Sequence, residues 1–196
     1  MKSPYNFIIK PKGQRYNNTK KVGDKELIIN TEISNYKFIN KTGIVVACPA
    51  LNKTSIKEGD EVAIHHNVFR RWYNIRKQEK NSRGYLNEDE FLVQPDQIFA
   101  YKSEGQWKSL KGFCFVQPIQ EVDRFEDLVE KKNVGVIVYS DGFCKENEII
   151  GFHPGSEYEF VIDGKLLYRV KSNLITMKYG YKTNEKTYNP SWAQSS

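Results

Sequence analysis

Four short stretches recur along the chain in the same order, and such a duplication constrains a fold more than any single motif does. The run FIIKP at 7–11 resembles CFVQP at 114–118, each an alternating apolar segment closed by a proline that ends a strand. GIVVACPA at 43–50 resembles GVIVYSDG at 135–142, EVAIHH at 61–66 resembles EIIGFH at 148–153, and FLVQPDQIFAYK at 91–102 resembles LYRVKSNLITMK at 167–178. The spacing between partners falls from 107 to 92, 87 and 76 residues, so the first copy carries connections longer by 15, 5 and 11 residues. The pattern predicts two copies of one β-domain, at 1–104 and 112–179. A polar, Gly-bearing linker at 105–111 joins them, and a flexible polar tail occupies 180–196.

The residue types agree with a mainly β fold. The 11 Phe, 12 Tyr and 3 Trp, with abundant Val and Ile, favour pleated, half-buried surfaces over helices. Asp163-Gly164 between YEFVI and KLLYRV is the strongest hairpin signal in the chain. Helix signals are sparse, RFEDLVEKK at 124–132 being the best short one.

The net charge of +6 encourages contact with acidic partners, but 24 acids are interleaved with 30 bases. Only RRWYNIRKQEK at 70–80 is densely basic, and it reads as a solvated loop in preference to a phosphate-binding stripe; Arg70, Arg71, Arg76 and Lys77 carry the nucleic-acid alternative, with Phe69, Trp72 and Tyr73 beside them for stacking. Three cysteines, Cys48, Cys114 and Cys144, without CxxC spacing, indicate neither a disulfide framework nor a zinc site. The apolar run near the N-terminus is too short for a signal peptide, and no stretch reaches membrane-spanning length, so a cytoplasmic location and no membrane partner are expected.

Phosphate-cradling GxxxxGK[ST] and GxGxxG, the nucleophile elbow GxSxG and the zinc-binding HExxH are all missing, which points away from an enzyme, a cofactor or a metal. His65 and His66, adjacent on a strand, would face opposite ways and share no ligand. Glu88 and Glu90 imitate a catalytic pair but flank what reads as an exposed turn.

Taken in order, these landmarks resemble the GroES-type co-chaperonins, whose small β-barrels cap a chaperonin ring. Pro11 followed by Arg15 is similar to the family's opening strand and turn, Gly43 with IVVA and KEGDEVAI at 57–64 to its middle strands, and EFLVQPDQIFA at 90–100 to its closing strands. The triplet Leu27-Ile28-Ile29 stands where the family has the hydrophobic tripeptide of its mobile loop. The second copy resembles the family through VGVIVYSDG and VIDGKLLYRVKSNLITM, but Asn147-Glu148 replaces Gly-Asp and no arginine follows Pro118. In the first copy CPALNKTS at 48–55 is too short for the dome-roof hairpin of longer members. Tandem members exist, as do divergent viral ones, for which the location would be a host's cytoplasm.

The resemblance implies two tandem GroES-like small β-barrels and a non-enzymatic co-chaperonin that assists ATP-dependent folding. Its partners would be a GroEL-type chaperonin ring and its own copies in a ring-shaped homo-oligomer, seven-fold if the family pattern carries over. Leu27, Ile28 and Ile29 would be the chaperonin-binding residues, on a loop disordered until it enters the partner's groove. From the residues alone, ELIINTEISNYKF reads as a half-buried strand in preference to a display segment. The second copy completes its fold without these 15 extra residues, which leaves them available for display. The alternative function is a GroES-like structural or assembly component, for example of a viral particle, whose loop binds neighbouring subunits.

Overall fold

Alternating β-branched and aromatic residues build strands along nearly the whole chain. The computed structural model describes residues 2–17, 19–22, 25–28, 35–122, 125 and 127–194. The strands are β1 (Phe7–Pro11), β2 (Thr19–Val22), β3 (Lys25–Ile28), β4 (Thr42–Ala47), β5 (Glu61–Ile64), β6 (Arg71–Tyr73), β7 (Glu79–Asn81) and β8 (Phe91–Val93). They continue with β9 (Ile98–Ser103), β10 (Gln106–Ser109), β11 (Phe113–Val122), β12 (Leu128–Tyr139), β13 (Glu148–Phe152), β14 (Tyr158–Ile162), β15 (Lys165–Lys171) and β16 (Ile175–Tyr181). One short helix, α1 (Ser191–Gln194), follows. The chain divides into two units, Met1–Gln106 and Trp107–Ser196.

Each unit is built on an antiparallel sheet, and the two sheets share one strand order. The first runs β10-β9-β5-β4-β1-β8, the second β14-β15-β11-β12-β13-β16. Pairing β1, β4, β5, β8 and β9 with β11, β12, β13, β15 and β16 makes the five-strand order identical, read from opposite ends. Registers repeat too. Ile8 opposes Ala47, Ile9 Val45, Lys10 Ile44 and Pro11 Gly43; the counterparts are Phe115 with Tyr139, Val116 with Ile137, Gln117 with Val136 and Pro118 with Gly135. A β-bulge interrupts the ladder at the same step, between Ile8 and Ile9 and between Phe115 and Val116.

The turn before the third shared strand repeats despite different residues. Gly59 and Asn147 both take positive φ, 91° and 66°. Their amides donate to Val45 O at 2.8 Å and Ile137 O at 2.9 Å, which themselves correspond. The next residue's carboxylate, of Asp60 or Glu148, accepts from the amide of Lys57 or Lys145 at 2.8 Å in each case. Asparagine is among the few non-glycine residues that tolerate this backbone region, so the exchange keeps the turn. These pairs lie 88 residues apart. The closing strands lie 77 apart, Val93 with Val170, so the sequence spacings of 87 and 76 were each one residue short.

Both sheets bury apolar residues, on both faces along β5 and β13. Unit 1 packs Ile8, Ile9, Val62, Ile64 and Val93 around Phe69 and Phe91, whose rings meet edge to face at 4.9 Å. In unit 2 Cys114, Val116, Ile137, Ile150, Phe152 and Val170 form one cluster. Each such side chain contributes roughly 1.5–3 kcal/mol on burial.

Several expectations need correction. Among the described residues neither sheet closes into a barrel, because β10 on β9 and β14 on β15 occupy edges that closure would need. The stretch 105–111, expected as a linker, contains strand β10. The helix expected at 124–132 is, from Leu128, strand β12; the pairs Gln120–Glu130, Glu121–Val129 and Val122–Leu128 prevail over the i, i+3/i+4 spacing of its apolar residues. The tail is anchored: Tyr188 N donates to Pro118 O at 2.8 Å, Asn189 bonds the backbone of Gly164 and Leu166, and Ala193 is buried. Among the described residues no helix is long and apolar enough to cross a membrane.

Candidate docking site

The first unit differs from the second chiefly in what leaves β1 and returns to β4. The returning and departing strands are sewn together at their base. Asn40, 3% exposed, donates through Nδ2 to the carbonyls of Lys12 and Gln14 at 2.8 and 2.9 Å, while its Oδ1 accepts from Thr42 N and Oγ1, both at 2.9 Å. Asn17 N donates to Phe38 O at 2.7 Å, and Asn40 N to Arg15 O at 3.1 Å. A buried side-chain amide with both ends satisfied is a strong local constraint.

Arg15 ties this base to the unit. Its Nε donates to Phe69 O at 2.7 Å, and its Nη2 to Asn81 Oδ1 at 2.7 Å and to Arg70 O at 3.2 Å. The guanidinium lies over the rings of Phe91 and Tyr85 at 5.0 and 5.5 Å and pairs with Glu88 at 3.4 Å. Burial lowers its pKa, which Glu88 partly offsets. The role of Glu88 is thus to hold Arg15, together with the Tyr85 hydroxyl that donates to it at 2.9 Å. Glu90 accepts from Asn87 within its own turn, so the two acids serve different partners.

Beyond this base stands the hairpin β2–β3, a separate two-stranded sheet. Thr19 opposes Ile28, Lys20 Leu27, Lys21 Glu26 and Val22 Lys25, so the stretch is paired backbone where a structureless loop was expected. Gly23-Asp24 lies between the two strands in sequence, a composition suited to a tight turn. Leu27 is 52% exposed. Ile28 is placed by its backbone in β3, its side chain outside the described set, and Ile29 lies outside the described residues. A two-stranded hairpin is marginal alone in water, so this element is the least costly part of the unit to remodel against a partner.

The histidines differ from the strand reading. Strand β5 ends at Ile64 and a 3-10 turn, His66–Val68, follows, which brings the two imidazoles to one side with ring centroids 4.5 Å apart. His65 Nδ1 accepts from Asn67 N at 3.1 Å. Burial first, then His65, Lys41 and Arg70, push the pKa of His66 down to about 4. Among the described residues no group of three or more His, Cys, Asp or Glu is placed to hold a metal.

The basic run is partly committed to structure. Arg71 pairs with Glu79 at 3.6 Å and lies over Tyr16 at 4.8 Å, and Arg70 lies over Trp72 at 5.7 Å. In unit 2, Asp141 accepts from Gly112 N at 2.8 Å, Phe143 N at 3.0 Å and Ser172 Oγ at 2.7 Å, with Cys114 Sγ at 3.6 Å. Burial raises the pKa of the Cys114 thiol, the opposite of what an activated nucleophile requires.

Sequence reasoning missed a second arm. Strands β11 and β12 continue past the core as a long hairpin whose tip carries Val122, Phe125 and Leu128, all well exposed. It leaves from the same place in the fold as β2–β3. The register offers the missed signal: Glu121-Val122 and Leu128-Val129 alternate as strands on either side of a short turn. No family model, curated protein or solved structure matches the chain.

Proposed function

We propose that the protein is a tandem co-chaperonin of the GroES type, which caps a chaperonin ring through Leu27, Ile28 and Ile29 and so assists ATP-dependent folding. The observation that carries this reading is the hairpin β2–β3, clamped at its base by Asn40 and Arg15 and displaying Leu27 at 52% exposure. Such an arm offers an exposed aliphatic residue, Leu27, from a fixed foundation. Each side chain received by a partner's groove contributes roughly 1.5–3 kcal/mol, less the cost of ordering the arm. One arm therefore binds weakly, and a closed ring of copies, seven-fold in this reading, gains strength by presenting several at once. Nucleotide hydrolysis resides in the partner. The two small domains are GroES-like in this reading, and both partners meet in the cytoplasm.

The test is capture of a GroEL-type chaperonin, with nucleotide, by the wild-type chain and by a Leu27→Asp, Ile28→Asp, Ile29→Asp variant. The reading expects capture by the first and none by the second. Equal capture by both, or none by either, overturns it. Incorporation into a particle in place of chaperonin capture supports the assembly role.

A further inference from the structure

The second arm and the hairpin β6–β7 are opposite in charge and alike in apolar character. Residues 119–130 hold five acids, Glu121, Asp123, Glu126, Asp127 and Glu130, against one base, Arg124. Residues 70–80 hold five bases, Arg70, Arg71, Arg76, Lys77 and Lys80, against one acid, Glu79.

The apolar residues on each element are grouped. Val122 and Leu128 are direct cross-strand partners and so share one face, with Phe125, 71% exposed, in the turn between them. On β6–β7, Ile75 is fully exposed and Tyr73 stands beside it at 58%. The turn that carries Ile75 is ordered: Asn74 Oδ1 accepts from Arg76 N at 3.0 Å and Gln78 N at 2.9 Å, and Asn74 N donates to Gln78 O at 3.0 Å. A large aliphatic held in water by a fixed turn, on a hairpin that also carries Arg76, Lys77 and Lys80, matches an acidic apolar finger in both properties.

We propose that the β11–β12 arm of one copy docks on the β6–β7 hairpin of a second copy. Phe125, Val122 and Leu128 pack against Ile75 and Tyr73, and Glu121 and Asp127 face Arg76, Lys77 and Lys80. A second copy is favoured over nucleic acid because the apolar tip makes no phosphate contact, and because Arg70 and Arg71 are already engaged by Trp72, Tyr16 and Glu79. Because two different surfaces meet, the contact is head-to-tail and generates a ring or a filament. This interface stands whether or not the chain binds a chaperonin.

The experiment is a charge exchange read by analytical ultracentrifugation. One variant carries Arg76→Glu and Lys77→Glu, the other Glu121→Lys and Asp127→Lys, with circular dichroism confirming that both fold. The wild type is expected to assemble and each variant alone to sediment as a monomer. Their equimolar mixture is expected to reassemble, since each reversed surface then meets a complementary one on the other copy. A monomeric wild type, a variant that assembles alone, or a mixture that stays monomeric overturns the proposal. Phe125→Ser and Ile75→Ser, which leave the charges alone, are each expected to lower the assembled fraction.

Discussion

Arg15 donates through Nε to the carbonyl of Phe69 at 2.7 Å, joining the exit of the first strand to a residue 54 positions later. Among the described residues this contact has no counterpart in the second unit, where the equivalent position is Val122, on an exposed arm. The two copies have therefore diverged in how the chain leaves β1 and β11. In unit 1 an arginine pins the exit to the core; in unit 2 the strands continue outward as a ladder.

Arg15→Met is expected to destabilise unit 1 by about 1–3 kcal/mol, because the carbonyls of Phe69 and Arg70 and the Asn81 amide oxygen lose their donor. Hydrogen exchange resolves the two units separately, as a single melting curve for a two-unit chain does not. Faster exchange in β6 and β8 with unit 2 unchanged is the expected pattern. Unchanged protection in β8 would show that Arg15 clamps nothing.

Gly43 and Gly135 occupy equivalent positions and meet equivalent obstacles. A Cβ on Gly43 would lie 2.5 Å from Ile9 Cγ2 and 2.9 Å from Lys10 O; on Gly135 it would lie 2.5 Å from Val116 Cγ1 and 2.6 Å from Gln117 O. The carbonyl is part of the ladder and cannot swing away. Gly43→Ala and Gly135→Ala should each cost about 1–3 kcal/mol, each loosening its own unit. A neutral result at either site would mean that the strands separate more easily than this register implies.

The β class and the five repeated strands could be read from sequence because alternation survives divergence and Pro11 and Pro118 hold equivalent positions; only Pro11 ends its strand, since β11 runs on through Pro118 to Val122 against the expectation of a stop there. The glycines at 43 and 135 mark the same close approach, and Asn147 substitutes for Gly59 through its tolerance of positive φ. Strand β10 and the outer part of the β11–β12 hairpin were harder. Strand β10 is short and polar and reads as a linker until its partner β9 is known. Phe125, Leu128 and Val129 fit a helix as well as a strand, and only the pairing with β11 decides between them. His65 and His66 were misplaced because the strand ends with the apolar run at Ile64 and a 3-10 turn, His66–Val68, follows.

Two groups contribute to the acid limit of stability. Burial, together with His65, Lys41 and Arg70, holds the His66 pKa at about 4, below its usual 6.5. The unfolded chain then takes up the proton first as pH falls, so unit 1 loses stability between about 6.5 and about 4. Burial pushes the Asp141 pKa up, but donation from Phe143 N, Ser172 Oγ and Gly112 N outweighs it and the net shift is downward. Its contribution is present above the unfolded value of roughly 3.9 and is lost as pH falls through the lower folded value. His66→Gln should flatten the upper limb and Asp141→Asn the lower one, in urea titrations across pH. A limb that persists in its own variant would assign it to another group.

The base of the β2–β3 arm and its exposed Leu27 should separate experimentally. Asn40→Ala removes four hydrogen bonds that join residues 12–14 to residue 42, leaving the Lys12 and Gln14 carbonyls without this donor. It is expected to lower unit 1 stability by about 1–3 kcal/mol. Leu27→Asp changes a half-exposed side chain opposite Lys20 and is expected to shift stability by no more than about 0.5 kcal/mol. Partner capture should respond in the reverse order: abolished by Leu27→Asp, and weakened but retained by Asn40→Ala, whose arm still carries its aliphatic residues. Urea denaturation and chaperonin capture on the same two proteins give both readings. If Leu27→Asp unfolds unit 1, the side chain belongs to the core and the arm is not a display element.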